Sequence, residues 1–232
     1  MPRTAVIAGV GPGLGAAIAQ KFAHEGCRVA LLARTESYIQ NLAADLDDTE
    51  GTGLAVQTDL TDAEDVTHAF ESVREMFGPV DVLVNHASGG AWNGIIDLSV
   101  EEFDNAMTVG PRGGFLCAKE SVPDMLGNEG GTIIFTGATS AMRGREGALG
   151  FSAAKFAVRG MAESMARELG PQGVHVAHVV IDGQIRTPDV EDTNSAAYLD
   201  PVAIAENYWH LVEQDSSAWT LELDLRPHVE AF

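Results

Sequence analysis

The chain has 232 residues, 45% of them hydrophobic, and a mean hydropathy of +0.02, which is typical of one soluble globular domain. Acidic residues outnumber basic ones by 34 to 14, and the formal charge of −20 excludes nucleic acid and anionic membranes as expected partners. No apolar run approaches the roughly 20 residues of a membrane span, and the strand-like run from Thr4 leaves no room for a signal peptide.

Short apolar runs alternate with helical periodicity along the chain. The runs predict strands at residues 4–9, 28–33, 54–57, 80–85, 132–136 and 174–181, and helical spacing predicts helices at 13–25, 63–77 and 151–169. A second helix passes through residues 38–46, and a longer helical stretch at 100–126 is interrupted near Gly110-Pro111. The polar segment 184–200 reads as a loop or lid, before a last helix at 203–212 and a last strand at 218–225.

Near-continuous apolar strands joined by helices are typical of a parallel sheet that is covered on both faces. Right-handed crossovers then favour an α/β fold of the Rossmann type, a doubly wound parallel sheet with helices on both sides. No linker or repeat divides the sequence, so residues 1–232 are predicted to form a single domain. Cys27 and Cys117 lie in apolar surroundings and are expected to be buried free thiols, which suits a cytoplasmic protein.

A glycine-rich turn follows the first predicted strand. Gly9, Gly13 and Gly15 have the spacing G-x-x-x-G-x-G, with Pro12 and Leu14 between them. Glycine permits a left-handed backbone and lets the amides at a helix N-terminus approach a pyrophosphate. A plain structural turn is the alternative, but the position between a strand and a helix favours dinucleotide binding.

The end of the second predicted strand bears on the choice of dinucleotide. An acidic residue there favours NAD, because it hydrogen-bonds the ribose hydroxyls. Here Ala33 provides no acid, and Arg34 is placed to pair with a 2′-phosphate, so NADP(H) is preferred and NAD(H) stays open. The alternative is that Arg34 is a solvated side chain at a helix start.

With these features the chain resembles the short-chain dehydrogenase/reductase family over nearly its whole length. The motifs that carry the resemblance are the glycine turn, Asp59-Leu60 after the third strand, Asn85-His86-Ala87-Ser88 after the fourth, Phe151-Ser152-Ala153-Ala154-Lys155 at a helix start and Asp182-Gly183-Gln184-Ile185-Arg186-Thr187 after the sixth. The resemblance implies that Asp59 and Leu60 contact adenine, that Asn85 and Ala87 border the cofactor, and that Ile185 and Thr187 hold the nicotinamide carboxamide. It also implies a homodimer or homotetramer and no metal.

The family's catalytic residues are only partly present. The lysine that binds the nicotinamide ribose and lowers the pKa of a catalytic tyrosine is retained as Lys155. Phe151 stands at the tyrosine position, Ala138 at the position of the serine that holds the substrate oxygen, and Gly110 near that of the asparagine in the proton relay. The resemblance therefore implies an altered catalytic site.

Several groups are candidates for a substitute proton donor. Ser140 and Thr139 lie close to the serine position, and Ser152 follows Phe151 on the helix. Tyr198 lies in the lid-like segment, and His86 has an ordinary pKa near 6.5 that suits acid catalysis. Each has a structural alternative as a capping, packing or gap-filling residue.

The leading hypothesis is an NADP(H)-binding oxidoreductase that acts on a small carbonyl compound, an alcohol or an activated double bond. The alternative is a catalytically impaired cofactor-binding protein, either a sensor or a subunit that partners an active relative. A non-redox enzyme such as a dehalogenase is the weakest candidate, because Lys155 and Asp59 are retained.

Overall fold

Apolar strands of four to eight residues build the centre of the molecule in the computed structural model, which describes residues 2–128, 130–187 and 195–230. The strands are β1 (Thr4–Ala8), β2 (Arg28–Ala33), β3 (Thr52–Gln57), β4 (Val82–Asn85), β5 (Gly131–Thr136), β6 (Val174–Ile181), β7 (Gln184–Ile185), β8 (Tyr198–Leu199) and β9 (Glu222–Leu225). The helices are α1 (Leu14–His24), α2 (Glu36–Asp47), α3 (Ala63–Phe77), α4 (Val100–Met107), α5 (Gly113–Gly127), α6 (Leu149–Leu169) and α7 (Pro201–Val212).

Seven strands form one parallel sheet in the order β3-β2-β1-β4-β5-β6-β9. The chain winds outward from β1 to β3, then returns to the other side of β1 with β4. This reversal of strand order is the switch point at which ligands bind in doubly wound sheets. The predicted Rossmann-type fold and its single domain are confirmed.

Alternate strand residues face two separate cores. Ala5 and Ile7 of β1 pack on the side of α1, α2 and α7, whereas Val6 and Ala8 pack on the side of α3, α5 and α6. Because both faces are covered by helices, all five residues of β1 are buried. The sheet is therefore packed on both faces, and the loops at its carboxyl edge extend from this packed core.

Side chains cap the first turn in three of the seven helices described, and α1 is among the four without such a cap. Asp62 and Asp200 cap α3 and α7, and Ser99 forms a capping box with Glu102 at the start of α4. At α1 the capping position is Gly13, which has no side chain to offer. The Ala16 amide donates to Gly11 O at 3.2 Å, and the amides of Leu14 and Gly15 at the start of α1 have no side-chain cap and can serve a ligand.

The predicted interruption of the long helical stretch is confirmed at Pro111. A π-helical turn, Thr108–Arg112, joins α4 to α5. Proline lacks the amide hydrogen that an α-helix needs at this position, and its ring crowds the preceding turn. The wider turn accommodates both effects without separating the two helices.

The predicted start of the last strand needed correction, and the lid-like segment is only partly described. The last strand begins at Glu222 rather than at residue 218, because residues 216–218 form a short turn whose amide at Ser217 is bonded to the Asp215 side chain. The lid-like segment 184–200 begins and ends in the two-residue ladder of β7 and β8, and its residues 188–194 lie outside the described residues. Among the helices that the structure describes, none is long and apolar enough to cross a membrane.

Candidate functional site

A cavity of about 910 Å³ opens at the carboxyl edge of the sheet, around the switch point. Its walls come from the segments that follow six of the strands and from the start of α6. They comprise residues 9–12 after β1, 33–35 around the end of β2, 58–61 after β3, 86–88 after β4, 136–140 at the end of β5, 183–185 after β6, and residues 145–148 with Trp92, Val109, Phe151 and Lys155. The parallel sheet thus brings together residues that are far apart in sequence.

The glycine turn fits tightly against the loop after β4. Gly9 has a φ of 95° and Gly13 a φ of 107°, a region that glycine adopts readily and other residues rarely. A Cβ on Gly9 would lie 2.5 Å from Cα of Ala87, and one on Gly15 would lie 3.2 Å from Cα of Val10. Glycine therefore suits Gly9 and Gly13 because of their backbone conformation, and Gly9 and Gly15 because a side chain would lack space.

The predicted residues of this turn divide into two groups. Gly9 and Pro12 line the cavity, as does Gly11, where a Cβ would meet no atom within 4 Å. Gly13 and Gly15 do not line the cavity and instead allow the turn to form, while the buried Leu14 anchors α1 in the core. The cavity wall here is mostly backbone.

At one end of the cavity, Arg34 and Asp59 line the wall together with Leu60. Asp59 Oδ1 accepts hydrogen bonds from the amide and the hydroxyl of Thr61, at 2.9 and 2.8 Å. These bonds, together with the nearby positive charge of Arg34, hold the pKa of Asp59 below its usual value. The carboxylate is therefore ionised and fixed in orientation, while the Arg34 side chain is exposed.

Asn85 and Ala87, both predicted to border a cofactor, occupy different environments. Ala87 lines the cavity, and its amide donates to Ala8 O at 2.9 Å. Asn85 is buried at the end of β4 and does not line the cavity, and its Nδ2 is buried without a hydrogen-bond partner. Its place is behind the wall, beside Gly114.

Lys155 lies at the other end of the cavity with only 5% of its surface exposed. Its Nζ donates a hydrogen bond of 2.8 Å to the backbone oxygen of Thr136 and lies 5.5 Å from the centre of the Phe151 ring. Burial lowers the pKa of Lys155 to about 8, because the charged ammonium loses its hydration. The ammonium group at the cavity wall therefore gives up its proton more readily than the ammonium of an exposed lysine does.

His86 is adjacent to this lysine, within a short polar chain. Its Nδ1 is 3.3 Å from Thr136 Oγ1, which in turn lies 2.8 Å from the hydroxyl of the fully buried Tyr208. Burial, and then the positive charge of Lys155, lower the pKa of His86 to about 4. At neutral pH the imidazole is therefore uncharged and is a poorer acid than Lys155.

The residues after β5 include Ala138, Thr139 and Ser140, which all line the cavity. The Thr139 hydroxyl donates to Asp182 Oδ1 at 2.5 Å, and Asp182 also forms an ion pair with Arg226 at 3.3 Å. The Thr139 proton is therefore already engaged, and Asp182 ties this turn to the end of β6. Ser140 is buried and lines the wall, so it remains a candidate for the hydroxyl at the site.

Two other hydroxyls considered as proton donors are not at the cavity wall. Ser152 is buried, and its Oγ accepts a hydrogen bond of 3.3 Å from the amide of Arg145. Tyr198 belongs to β8, where it pairs with Gln184, and it does not line the cavity.

Gly110 and its neighbours come from the π-helical turn. Gly110 is buried, and Val109 lines the cavity beside it. A Cβ on Gly110 would have Ala87 O as its nearest neighbour, at 4.0 Å. The turn thus has space for the start of a side chain at this position.

Ile185 and Thr187 border the start of the lid-like segment. Ile185 lines the cavity and pairs with Leu199 across the short ladder. Thr187 is exposed and does not line the cavity, but its Cγ2 would lie 3.7 Å from a Cβ on Gly13. Thr187 therefore lies beside the glycine turn.

Trp92 and Arg145 also line the cavity, and neither was predicted from the sequence. The Trp92 ring stacks on Phe151, with 4.3 Å between ring centres and 29° between planes. The amide of Leu149 donates to Asn93 O at 3.1 Å, which holds this loop against the start of α6. A tryptophan in a polar, glycine-containing loop was the one available signal. Within the ranges that the structure describes, no cluster of metal-ligating side chains is found.

Comparisons with known proteins agree with this geometry. A family model described as short chain dehydrogenase matches residues 3–197. An uncharacterized oxidoreductase of Staphylococcus saprophyticus is 31% identical over 228 residues, which cover 97% of each chain. An alcohol dehydrogenase of the archaeon Thermococcus sibiricus, solved with 5-hydroxy-NADP, is 26% identical with a TM-score of 0.91 and coverage of 100% and 99%. The L-sorbose reductase of Gluconobacter frateurii, solved with NADPH and L-sorbose, is 25% identical with a TM-score of 0.89 and coverage of 97% and 95%.

Proposed function

This chain belongs to the short-chain dehydrogenase family, and we propose that it is an NADP(H)-dependent oxidoreductase with an altered proton-donating site. Its substrate is a small carbonyl compound or the corresponding alcohol, with an activated double bond as the second choice. The observation that carries the proposal is the cavity of about 910 Å³ that joins the glycine turn at one end to the buried Lys155 at the other.

The turn has the properties that a dinucleotide pyrophosphate requires. A side chain on Gly9 would collide with Ala87, Gly11 leaves open space, and no side chain caps the start of α1. Amides at such a helix start, with the positive end of the helix dipole, hold phosphate oxygens without a net positive surface. This matters in a chain of charge −20, whose overall field repels the ligand.

We assign the 2′-phosphate of NADP(H) to Arg34. The guanidinium is exposed at the cavity wall and has no ion pair among the residues that the structure describes, while Ala33 offers no acid. The relatives solved with 5-hydroxy-NADP and with NADPH support this choice. Asp59 and Leu60 would border adenine, and Ile185 with Thr187 would hold the carboxamide.

Arg34→Gln is expected to weaken NADPH binding about tenfold, because it removes a charge-assisted contact to the phosphate. NADH affinity should not change, since NADH lacks that phosphate. A fluorescence titration of both nucleotides with wild type and variant measures the difference. Equal losses for NADPH and NADH would contradict the assignment, and failure of wild type to bind either nucleotide would overturn the proposed function.

Lys155 takes the central chemical role in this proposal. When bound, the dinucleotide supplies or accepts the hydride. The buried ammonium of Lys155 then holds the proton that a substrate oxygen gains, because Phe151 has none to give. Ala138 cannot hold that oxygen with a hydroxyl, and we propose Ser140, a buried residue that lines the wall two positions further on, as the substitute.

The alternative function is a cofactor-binding protein with little turnover. The presence of Phe151, Ala138 and Gly110 at the three positions where the family has catalytic residues favours this alternative. A panel of carbonyl compounds, assayed with protein that binds NADPH, separates the two functions. Slow reduction supports the oxidoreductase, ordinary family rates show that a full substitute acid exists, and no reduction of any compound favours the binding protein.

We propose a homodimer or homotetramer in the cytoplasm. The cytoplasm suits Cys27 and Cys117, which are free and buried. For the oligomer, α5 resembles the family's interface helix, and its Phe115 is 46% exposed. Light scattering after gel filtration should give a multiple of 24.5 kDa for wild type and a smaller particle for Phe115→Asp.

Segment 184–200 is proposed to act as a lid that covers the bound substrate.

A further inference from the structure

The indole of Trp92 presents a free aromatic face at the catalytic end of the cavity. One face of the ring stacks on Phe151, yet 58% of the residue remains exposed. Backbone hydrogen bonds from Leu149 to Asn93 and from Phe151 to Ala91 hold the loop in place. A fixed ring with one covered face is a ready platform for a second ring, because stacked aromatic pairs are favourable beyond the area that they bury.

A smaller cavity of about 390 Å³ continues from this end. It shares residues 145–147 with the larger cavity and is bordered by Ile95 and Ile96, which are 78% and 91% exposed. Two neighbouring exposed isoleucines beside a catalytic cavity give apolar contact to a ligand longer than a single ring. The available space thus extends away from Lys155 past Trp92.

Arg145 borders both cavities and supplies a positive charge between them. Its guanidinium has no ion pair within residues 2–128, 130–187 and 195–230, although acidic residues outnumber basic ones by 34 to 14. Glu146 lines both cavities and Asp97 lines the smaller one, so Arg145 is the single cation beside two carboxylates at the smaller cavity, and a ligand carboxylate must pair with its guanidinium directly. Arg143, two residues away, is also exposed and lines neither cavity.

We propose that the substrate is an aromatic aldehyde or ketone that also carries a carboxylate. The ring system stacks on the free face of Trp92, the carboxylate pairs with Arg145, and the reacting carbonyl points toward Lys155. Arg145 suits this role because a planar guanidinium binds a carboxylate through two parallel hydrogen bonds. The inference rests on the proposed function and specifies its substrate class.

Three ligands without a reducible carbonyl test the proposal by calorimetric titration in the presence of NADPH, so that neither the acids nor the alcohol can react during the measurement. 2-Naphthoate has both features, 2-naphthylmethanol lacks the charge, and cyclohexanecarboxylate lacks the aromatic ring. Wild type is expected to bind 2-naphthoate about five to ten times more tightly than either of the others.

Variants assign each preference to its residue. Arg145→Gln should remove the advantage over the alcohol and Arg145→Lys should restore part of it, whereas Arg143→Gln, the matched control, should change nothing. Trp92→Ala should remove the advantage over the cyclohexane acid, and Trp92→Phe should keep most of it. Circular dichroism and NADPH titration of the same samples show that each variant is folded.

The outcomes separate this inference from the proposed function. The substrate class is wrong, and the oxidoreductase proposal stands, if NADPH binds but wild type binds 2-naphthoate no more tightly than the other two ligands. The same conclusion follows if Arg143→Gln reduces the affinity for 2-naphthoate as much as Arg145→Gln does. If NADPH itself does not bind, the proposed function fails irrespective of the aromatic acids.

Discussion

Phe151→Tyr is expected to raise kcat/KM for carbonyl reduction about 100-fold, since a general acid contributes about 10²–10⁴-fold to such reactions. Phe151 already lines the cavity one helical turn before Lys155, whose ammonium lies 5.5 Å from its ring. A phenol at this place would sit beside a positive charge, which lowers its pKa and favours proton transfer. Steady-state kinetics with NADPH in excess measures the gain.

The matched control is Phe156→Tyr, on the same helix. Phe156 is exposed and does not line the cavity, so a hydroxyl there should leave kcat/KM unchanged. Adding Ala138→Ser and Gly110→Asn to Phe151→Tyr should raise the rate further. A Phe151→Tyr rate equal to wild type would mean that proton transfer does not limit the reaction, and that our assignment of the missing acid is wrong.

Lys155→Met is expected to lower kcat/KM by at least about 100-fold, because it removes the buried ammonium from the cavity wall. The loss should appear both in wild type and in the Phe151→Tyr background, where the higher rate makes it easier to measure. Methionine fills similar space without a charge, so the melting temperature should not fall. Lys119→Met replaces an exposed lysine of α5 and should leave the rate unaffected. Retention of full activity in Lys155→Met would exclude this lysine as the proton source.

The pH dependence of kcat/KM should follow the protonation of the Lys155 ammonium. Burial lowers the pKa of Lys155 to about 8, so the ammonium holds its proton below that pH and loses it above. If Lys155 is the acid, kcat/KM for reduction falls as pH rises through about 8, and the oxidation of an alcohol shows the opposite trend. A flat profile from pH 6 to 9 would contradict the role. The pKa of His86, near 4, predicts no titration of that residue in this range.

Much of the fold could be predicted because local patterns agreed with it. The apolar runs gave β2 and β6 their observed bounds, and Pro111 marked the irregular turn between α4 and α5. The last strand was placed too early, because the Asp215 cap that forms the preceding turn is a local polar signal that apolar periodicity does not detect. Periodicity locates buried faces better than it locates element ends.

The candidate site was predictable where a residue acts through backbone geometry or a fixed spacing. The requirement for glycine at position 9 and the separation of Phe151 from Lys155 follow from such rules. Trp92 and Arg145 were missed, since only tertiary hydrogen bonds between the loop after β4 and the start of α6 bring them to the cavity. Ser152 shows the reverse case, because its spacing beside Phe151 suggested a proton donor, yet the residue is buried and does not line the cavity.

The position of Phe151 beside an intact lysine also has an evolutionary consequence. Codons for phenylalanine and tyrosine differ by a single base, and so do those for alanine and serine at position 138. The support for a proton donor, which includes Lys155 and its bond to Thr136 O, is already in place. In a library of random point mutants under selection for carbonyl reduction, position 151 should therefore be the first to change, and improvement should proceed by single steps without loss of the fold.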